Sequence, residues 1–278
     1  MTPPQSPLQP PRPRARVSNP QEAAVPRLKI AVWVVALTVA LVISLFAWHR
    51  LEQFLIHDPR FAVNGPEGAD DASVIQIQGA QHASRRAIEG AFAEDMGRSI
   101  YLLPLEGRRA TLRTVDWVKD ATVMRLWPNR VVVRVAERKP VAFVTLSGSR
   151  YGLIDEDGVI LPPATDRFHL PVLRGVAARD PLADRRDRVQ RMQKLLRALG
   201  ANADKIAEVD VTDREDLRVT QPYDGRMVTL LLGDQNFAVR YQNFLNHFAE
   251  IREKMPDASS LDLRMEDRIT VVQQKDGA

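Results

Sequence analysis

The chain of 278 residues has no cysteine. Disulfides, thiolate metal sites and a cysteine nucleophile are therefore excluded, and the redox compartment is left open. Histidine is scarce: His49, His57, His82, His169 and His247 are scattered, and none falls in a metal-ligand spacing such as H-E-x-x-H. There is no G-x-S-x-G elbow, no Walker loop and no G-x-G-x-x-G. A surplus of one charge is also missing from the body of the chain. Five of the 39 basic residues and one of the 35 acidic ones lie in residues 1–29, which leaves 34 of each sign in the remaining 249. A neutral body offers no electrostatic footprint for nucleic acid. The high pI belongs to the tail.

One long apolar run is present. IAVWVVALTVALVISLFAW, residues 30–48, carries no charge, proline or glycine. As a helix it spans about 28 Å, close to the hydrocarbon thickness of a bilayer. Trp33 and Trp48 lie near its ends, where indoles prefer the interface. The residues before it hold Arg12, Arg14, Arg16, Arg27 and Lys29; the twenty after it hold only Arg50 and Arg60. That asymmetry predicts a cytoplasmic N-terminus and an extracytoplasmic 49–278. Ala47-Trp48-His49-Arg50 is no small-x-small cleavage site, so the span reads as an uncleaved anchor. The proline-rich, basic tail 1–29 lacks the apolar residues for a core and is expected to be disordered.

Residues 49–72 continue the anchor into a linker marked by Asp58-Pro59, Asn64-Gly65-Pro66 and Gly68 to Asp71. VIQIQG (74–79) alternates as a half-buried strand does. Ser84 is placed to cap a helix over 85–95, and a second short helix covers 107–114. WVKDATVMRLW (117–127) and RVVVRVAE (130–137) read as paired strands, with Pro128-Asn129 in a tight turn. Val131, Val133 and Val135 share one face and Arg134 the other; Met124 and Leu126 likewise oppose Arg125. Strand, helix, helix, strand, strand makes a small α+β unit with its helices on one face of a three-stranded sheet.

Hairpins follow. Strands are expected at 140–146, 151–155, 159–161, 206–212, 217–233 (folded about Asp224-Gly225), 260–265 and 268–274. Amphipathic helices are expected at 187–199 and from about 235 to 255. Asp155-Glu156-Asp157-Gly158 suits a hairpin turn and lacks the closing glutamate of a calcium loop. Glu137 and Asp155 form a conceivable carboxylate pair, with nothing in the sequence to bring them together.

Several stretches together resemble the FtsQ/DivIB family of bacterial cell-division proteins. They are DWVKDATVMRLWPNRVVVRVAERKPVAF (116–143), YGLIDEDGVILPP (151–163), LPVLRG (170–175), LLLGDQNFAVRYQNFL (230–245) and LDLRMEDRITVV (261–272). The resemblance implies an α+β chain: a single transmembrane helix (30–48), a POTRA domain over 73–141, the family's β domain over 142–274 and a short tail at 275–278. Glu137-Arg138-Lys139-Pro140 would then be the hinge between the two domains. It implies no enzyme, cofactor or metal. It implies a divisome scaffold of the inner membrane, at the septum, that links early division proteins to septal peptidoglycan synthesis by binding FtsB and FtsL. Partner contacts carried over by motif fall at Arg214, Arg264, Met265, Asp267, Ile269, Val271 and Gln273, along a C-terminal sheet edge. Contacts for recruitment by upstream proteins fall at Asp120, Val123 and Arg125 in the POTRA hairpin. A POTRA-bearing envelope chaperone or transport subunit is the alternative, disfavoured by the single module and the lack of a barrel-like strand series. A tethered cell-wall hydrolase would need a nucleophile or metal constellation that the sequence does not offer.

Overall fold

The computed structural model of the chain describes residues 24–63, 74–146, 150–254, 256, 258–265 and 268–272. Helix α1 (Ala24–His57) holds the apolar run. It begins six residues before the uncharged stretch, so 24–29 are helical where disorder was expected; the rest of the tail lies outside the described residues, as do 275–278. Pro26 falls in the first turn, where its missing N–H costs nothing. Residues 29–50 are all exposed, and α1 is the one helix among the described residues long and apolar enough to cross a membrane. Its two hydroxyls need no water: Thr38 Oγ1 donates to Val34 O and Ser44 Oγ to Ala40 O, each at 2.8 Å.

The first sheet has the order β1-β3-β2. β1 (Ile75–Gln78) runs parallel to β3 (Arg130–Glu137), with Ile75 opposite Val131; β2 (Val118–Leu126) is antiparallel to β3. A parallel neighbour requires a crossover, which α2 (Arg85–Gly90) and α3 (Leu105–Leu112) provide. Ser84 caps α2, accepting from Ala87 N. That helix stops at Gly90 and not at 95. The chain tightens into a 3₁₀ turn over Ala93–Asp95 that buries Phe92 and brings Asp95 to 2.6 Å from Arg108. Leu112 is buried on α3 and Ala110 exposed. Val131, Val133 and Val135 face the helices as expected. On β2 the core face carries Ala121, Val123 and Arg125, each directly opposite one of those valines, and Leu126 is exposed. β2 starts at Val118 because Trp117 takes a left-handed φ of 70°. The β2–β3 turn has three residues, since Leu126 pairs with Arg130.

The second sheet has nine strands in the order β12-β11-β10-β9-β8-β7-β4-β5-β6. They are β4 (Pro140–Thr145), β5 (Tyr151–Asp155), β6 (Ile160–Leu161), β7 (Val172–Arg174), β8 (Glu208–Asp210), β9 (Leu217–Tyr223), β10 (Arg226–Gly233), β11 (Ser260–Asp262) and β12 (Thr270–Val271). Asp224 and Gly225 both have positive φ, as a two-residue hairpin turn requires. α4 (Leu182–Leu199) and α5 (Phe237–Lys254) cover one face. Val189, Met192 and Leu195 from α4 and Phe237, Tyr241 and Phe244 from α5 meet Val209, Val219, Leu230 and Leu261 from the sheet.

Only Arg138 and Lys139 separate the sheets, and this junction is braced on both sides. Leu153 and Leu161 of the second sheet belong to the apolar core of the first unit, with Phe143, Val159 and Phe168 packed beside them. Arg138 donates to the buried Asp155 at 2.6 Å.

Candidate partner-binding surfaces

The carboxylates singled out for acid–base work are spent on structure. Asp155 accepts from the Asp157 and Val159 N–H groups and from Arg138, so it shapes the hairpin turn and ties down the junction. Glu137 Oε1 accepts from the N–H groups of Gln81, His82 and Ala83, and Oε2 faces His82 Nδ1 at 2.9 Å. No group of three metal-ligating side chains occurs among the described residues.

The C-terminal edge takes shape from β11 and β12. Among the described residues β12 pairs only with β11, which pairs with β10 on its other side. Val272 N donates to Ser260 O at 3.0 Å, and Ser260 stands directly opposite it in the register Leu261↔Val271, Asp262↔Thr270. Antiparallel pairs alternate between bonded and non-bonded. Val272 and Thr270 therefore turn their N–H and C=O groups toward β11, and Val271 turns both outward to the open edge. Ile269 and Val271 are half-buried against the core; Thr270 and Val272 are exposed. Met265 is 55% exposed. Asp267 and Gln273 lie outside the described residues.

The two arginines named for this edge are already in ion pairs. Arg264 grips Asp262 as a fork, Nε to Oδ1 at 2.9 Å and Nη2 to Oδ2 at 2.6 Å. That contact holds the Asp262 carboxyl below its ordinary pKa and raises the guanidinium. Asp216, 3.9 Å from Arg264, is buried and bound by Arg218 at 3.0 Å. Asp216 shares its loop with Arg214, whose Nη2 lies 3.3 Å from Asp187 on α4. The fold thus gathers Arg214, Arg264, Met265 and β12 at one end of the second sheet. Asp216, buried at the middle of this cluster, carried no signal in the sequence beyond an acid before a strand.

Asp120, Val123 and Arg125 fall elsewhere, on β2. Val123 is in the core. Arg125 reaches the rim and donates from Nη2 to Leu103 O at 2.7 Å. Asp120 is half-exposed and gripped by Arg109 and then Arg113, which hold its carboxyl far below the usual range.

A helix of membrane-crossing length, a three-stranded unit with two crossover helices and a long mixed sheet define a class: POTRA-bearing proteins with an N-terminal apolar helix. The model of the POTRA domain, FtsQ-type, matches residues 72–138, and that of cell division protein FtsQ/DivIB, C-terminal, matches 142–264. The cell division protein FtsQ of Koribacter versatilis is 35% identical over 257 residues, which cover 90% of this chain and 71% of that one. Its counterpart in Bradyrhizobium diazoefficiens is 27% identical over 238 residues, 82% of this chain and 65% of the other. The FtsQ of Myxococcus fulvus is 26% identical over 175 residues, 62% and 58% of the two chains. The chain belongs to the FtsQ/DivIB family of cell division proteins.

Proposed function

We propose that this chain is a non-catalytic scaffold of the division machinery. α1 anchors it in the inner membrane with the tail in the cytoplasm and both folded units outside. The second sheet captures FtsB- and FtsL-like partners by strand addition at β12, and the chain thereby connects early division proteins to septal peptidoglycan synthesis. Asp120 and the rim end of Arg125 would face the upstream recruiters, while Val123, buried in the core, would support that strand from beneath.

The observation that carries this reading is the open edge of β12. Its outward N–H and C=O at Val271 supply the hydrogen bonds that added strands use. Met265 and Val272 beside it supply exposed apolar area. Val271→Pro removes the outward donor without removing a bond to β11, and proline is tolerated on an edge strand.

The experiment is complementation of cells depleted of the protein, with a fluorescent fusion. The wild-type chain is expected at midcell and restores septation. V271P is expected to leave filaments while accumulating normally and melting as a folded protein. Uniform envelope signal with normal division on depletion would overturn the scaffold reading and favour an envelope chaperone. Full complementation by V271P would overturn strand addition at this edge.

A further inference from the structure

The turn between β2 and β3 is an odd place for apolar side chains. Leu126 is 45% exposed and Trp127 49%. Both belong to the end of the first sheet opposite the junction, because β3 starts there and finishes at Glu137. That end is fixed to α1. Phe54 and Phe61 meet edge to face at 5.6 Å, and Phe61 meets Trp127 in the same way at 5.5 Å. Ser99 Oγ donates to Leu55 O at 2.6 Å, and Val63 N donates to Arg98 O at 3.0 Å. Between these parts lies an open cleft of about 850 Å³, walled by Phe54, Phe61, Leu126, Trp127 and Pro128, with Arg60 and Arg130 at its rim.

The position of the cleft follows from α1. The helix is continuous, so Phe54 lies about 9 Å beyond Trp48 along the axis. A bilayer carries a headgroup layer about 5–8 Å thick on each side of the hydrocarbon. The cleft therefore sits at the outer boundary of that layer, within reach of the headgroups, with an aromatic surface of the kind found at membrane interfaces. Its charge fits as well. Asp58 is occupied by Arg60 at 2.9 Å. Arg50 and Arg130 have no acidic partner among the described residues, and Glu52 is the remaining acid nearby.

We propose that the Leu126–Arg130 turn, with Phe54 and Phe61, docks on the outer surface of the bilayer that α1 crosses and takes anionic phospholipid headgroups at Arg130. The proposal rests on the reading of α1 as a membrane span. It gives the first unit a second attachment to the membrane and fixes which end of that unit faces away from it.

The lack of cysteine makes the test direct. Asn129→Cys, Leu45→Cys and Glu215→Cys are introduced singly into the full chain and labelled with an environment-sensitive dye. The proteins are reconstituted in phosphatidylcholine vesicles with and without phosphatidylglycerol, containing lipids spin-labelled at shallow or deep positions. The label at 129 is expected to be quenched by the shallow probe when phosphatidylglycerol is present. The label at 215, in the second domain, is expected to stay unquenched. Arg130→Gln, at an exposed position, is expected to weaken the phosphatidylglycerol-dependent contact about fivefold. If position 129 is as unquenched as 215 while 45 is quenched by the deep probe, the docking is wrong and the span stands. If 45 is itself unquenched, the span reading fails and takes the docking with it. Equal quenching at 129 in neutral vesicles overturns the assignment to anionic lipid.

Discussion

A single buried hydrogen bond illustrates how tightly the second domain is specified. Tyr241 is 2% exposed and its hydroxyl donates to Gln221 Oε1 at 2.8 Å. Burial, offset in part by that bond, raises the phenol pKa. Gln221 is fully buried, and its Nε2 has no protein partner among the described residues. The tyrosine bond is thus what offsets the burial of the amide. Tyr241→Phe leaves the ring in place and strips Oε1 of its donor, which should cost about 1–3 kcal/mol in urea unfolding. Removing both polar groups should undo most of that loss, so Y241F/Q221M is expected to be more stable than Y241F. A double variant weaker than the sum of the two single ones would show that the amide is satisfied by something other than Tyr241.

At the scale of elements, β1 shows how a short strand is held. Among the described residues it pairs with β3 alone, and it ends at Gln78 because Gly79 turns the chain at φ +80°. A Cβ there would stand 2.4 Å from Val135 O, backbone that cannot step aside without breaking β3. Gly79→Ala should therefore cost more than about 1 kcal/mol, read as a lower unfolding midpoint with unchanged m. Alternation made most strands legible: Val131, Val133 and Val135 announced the face of β3, and Asp224-Gly225 announced the β9–β10 hairpin. The helix stripe through Val189, Met192 and Leu195 was equally plain, although α4 starts five residues early, behind Pro181. Other elements were not legible, for physical reasons. β7 is three residues long, and such a strand exists because its neighbours supply hydrogen bonds, which a local pattern cannot show; β12, expected over 268–274, shrinks to two residues for the same reason. Arg125 was placed opposite Met124 and Leu126 correctly, but the core face proved to be the arginine's. At a strand end a long side chain reaches the rim, so charge there does not mark the solvent face. The C-terminal edge was legible as a terminal apolar strand; its outward groups at Val271 depend on register, which only pairing sets.

At the scale of the whole molecule, the junction between the two units has a built-in pH dependence. His82, before α2, places Nδ1 2.9 Å from Glu137 Oε2 and Nε2 2.9 Å from Asp166 Oδ2 in the second domain. Its ring stacks on Trp117 at 4.5 Å. A neutral imidazole has one N–H and can satisfy only one of these carboxylates; the imidazolium satisfies both. Hydrogen bonding to Glu137, and then to Asp166, raises the histidine pKa against the effect of burial. A group with a raised folded pKa stabilises fully below its unfolded value, about 6.5 for histidine, and the contribution is lost as pH rises through the higher folded value. Glu137 works in the opposite sense. Burial pushes its pKa up, but the Ala83, His82 and Gln81 contacts outweigh this and hold it below the ordinary value. Its contribution is complete above about pH 4.3 and fades only as pH falls through the lowered folded value. The clamp is therefore complete between roughly pH 5 and 6.5 and weakens toward pH 8. Thermal unfolding of the chain should show a midpoint that falls from pH 6 to pH 8, and H82Q should flatten that slope. Asp166→Asn should reduce the slope less, because Asp166 is exposed and the lesser cause of the shift. Parallel profiles for wild type and H82Q would place the pH dependence elsewhere. A slope present in wild type and absent from H82Q would mean that the contact between the two units is strengthened by the proton on His82.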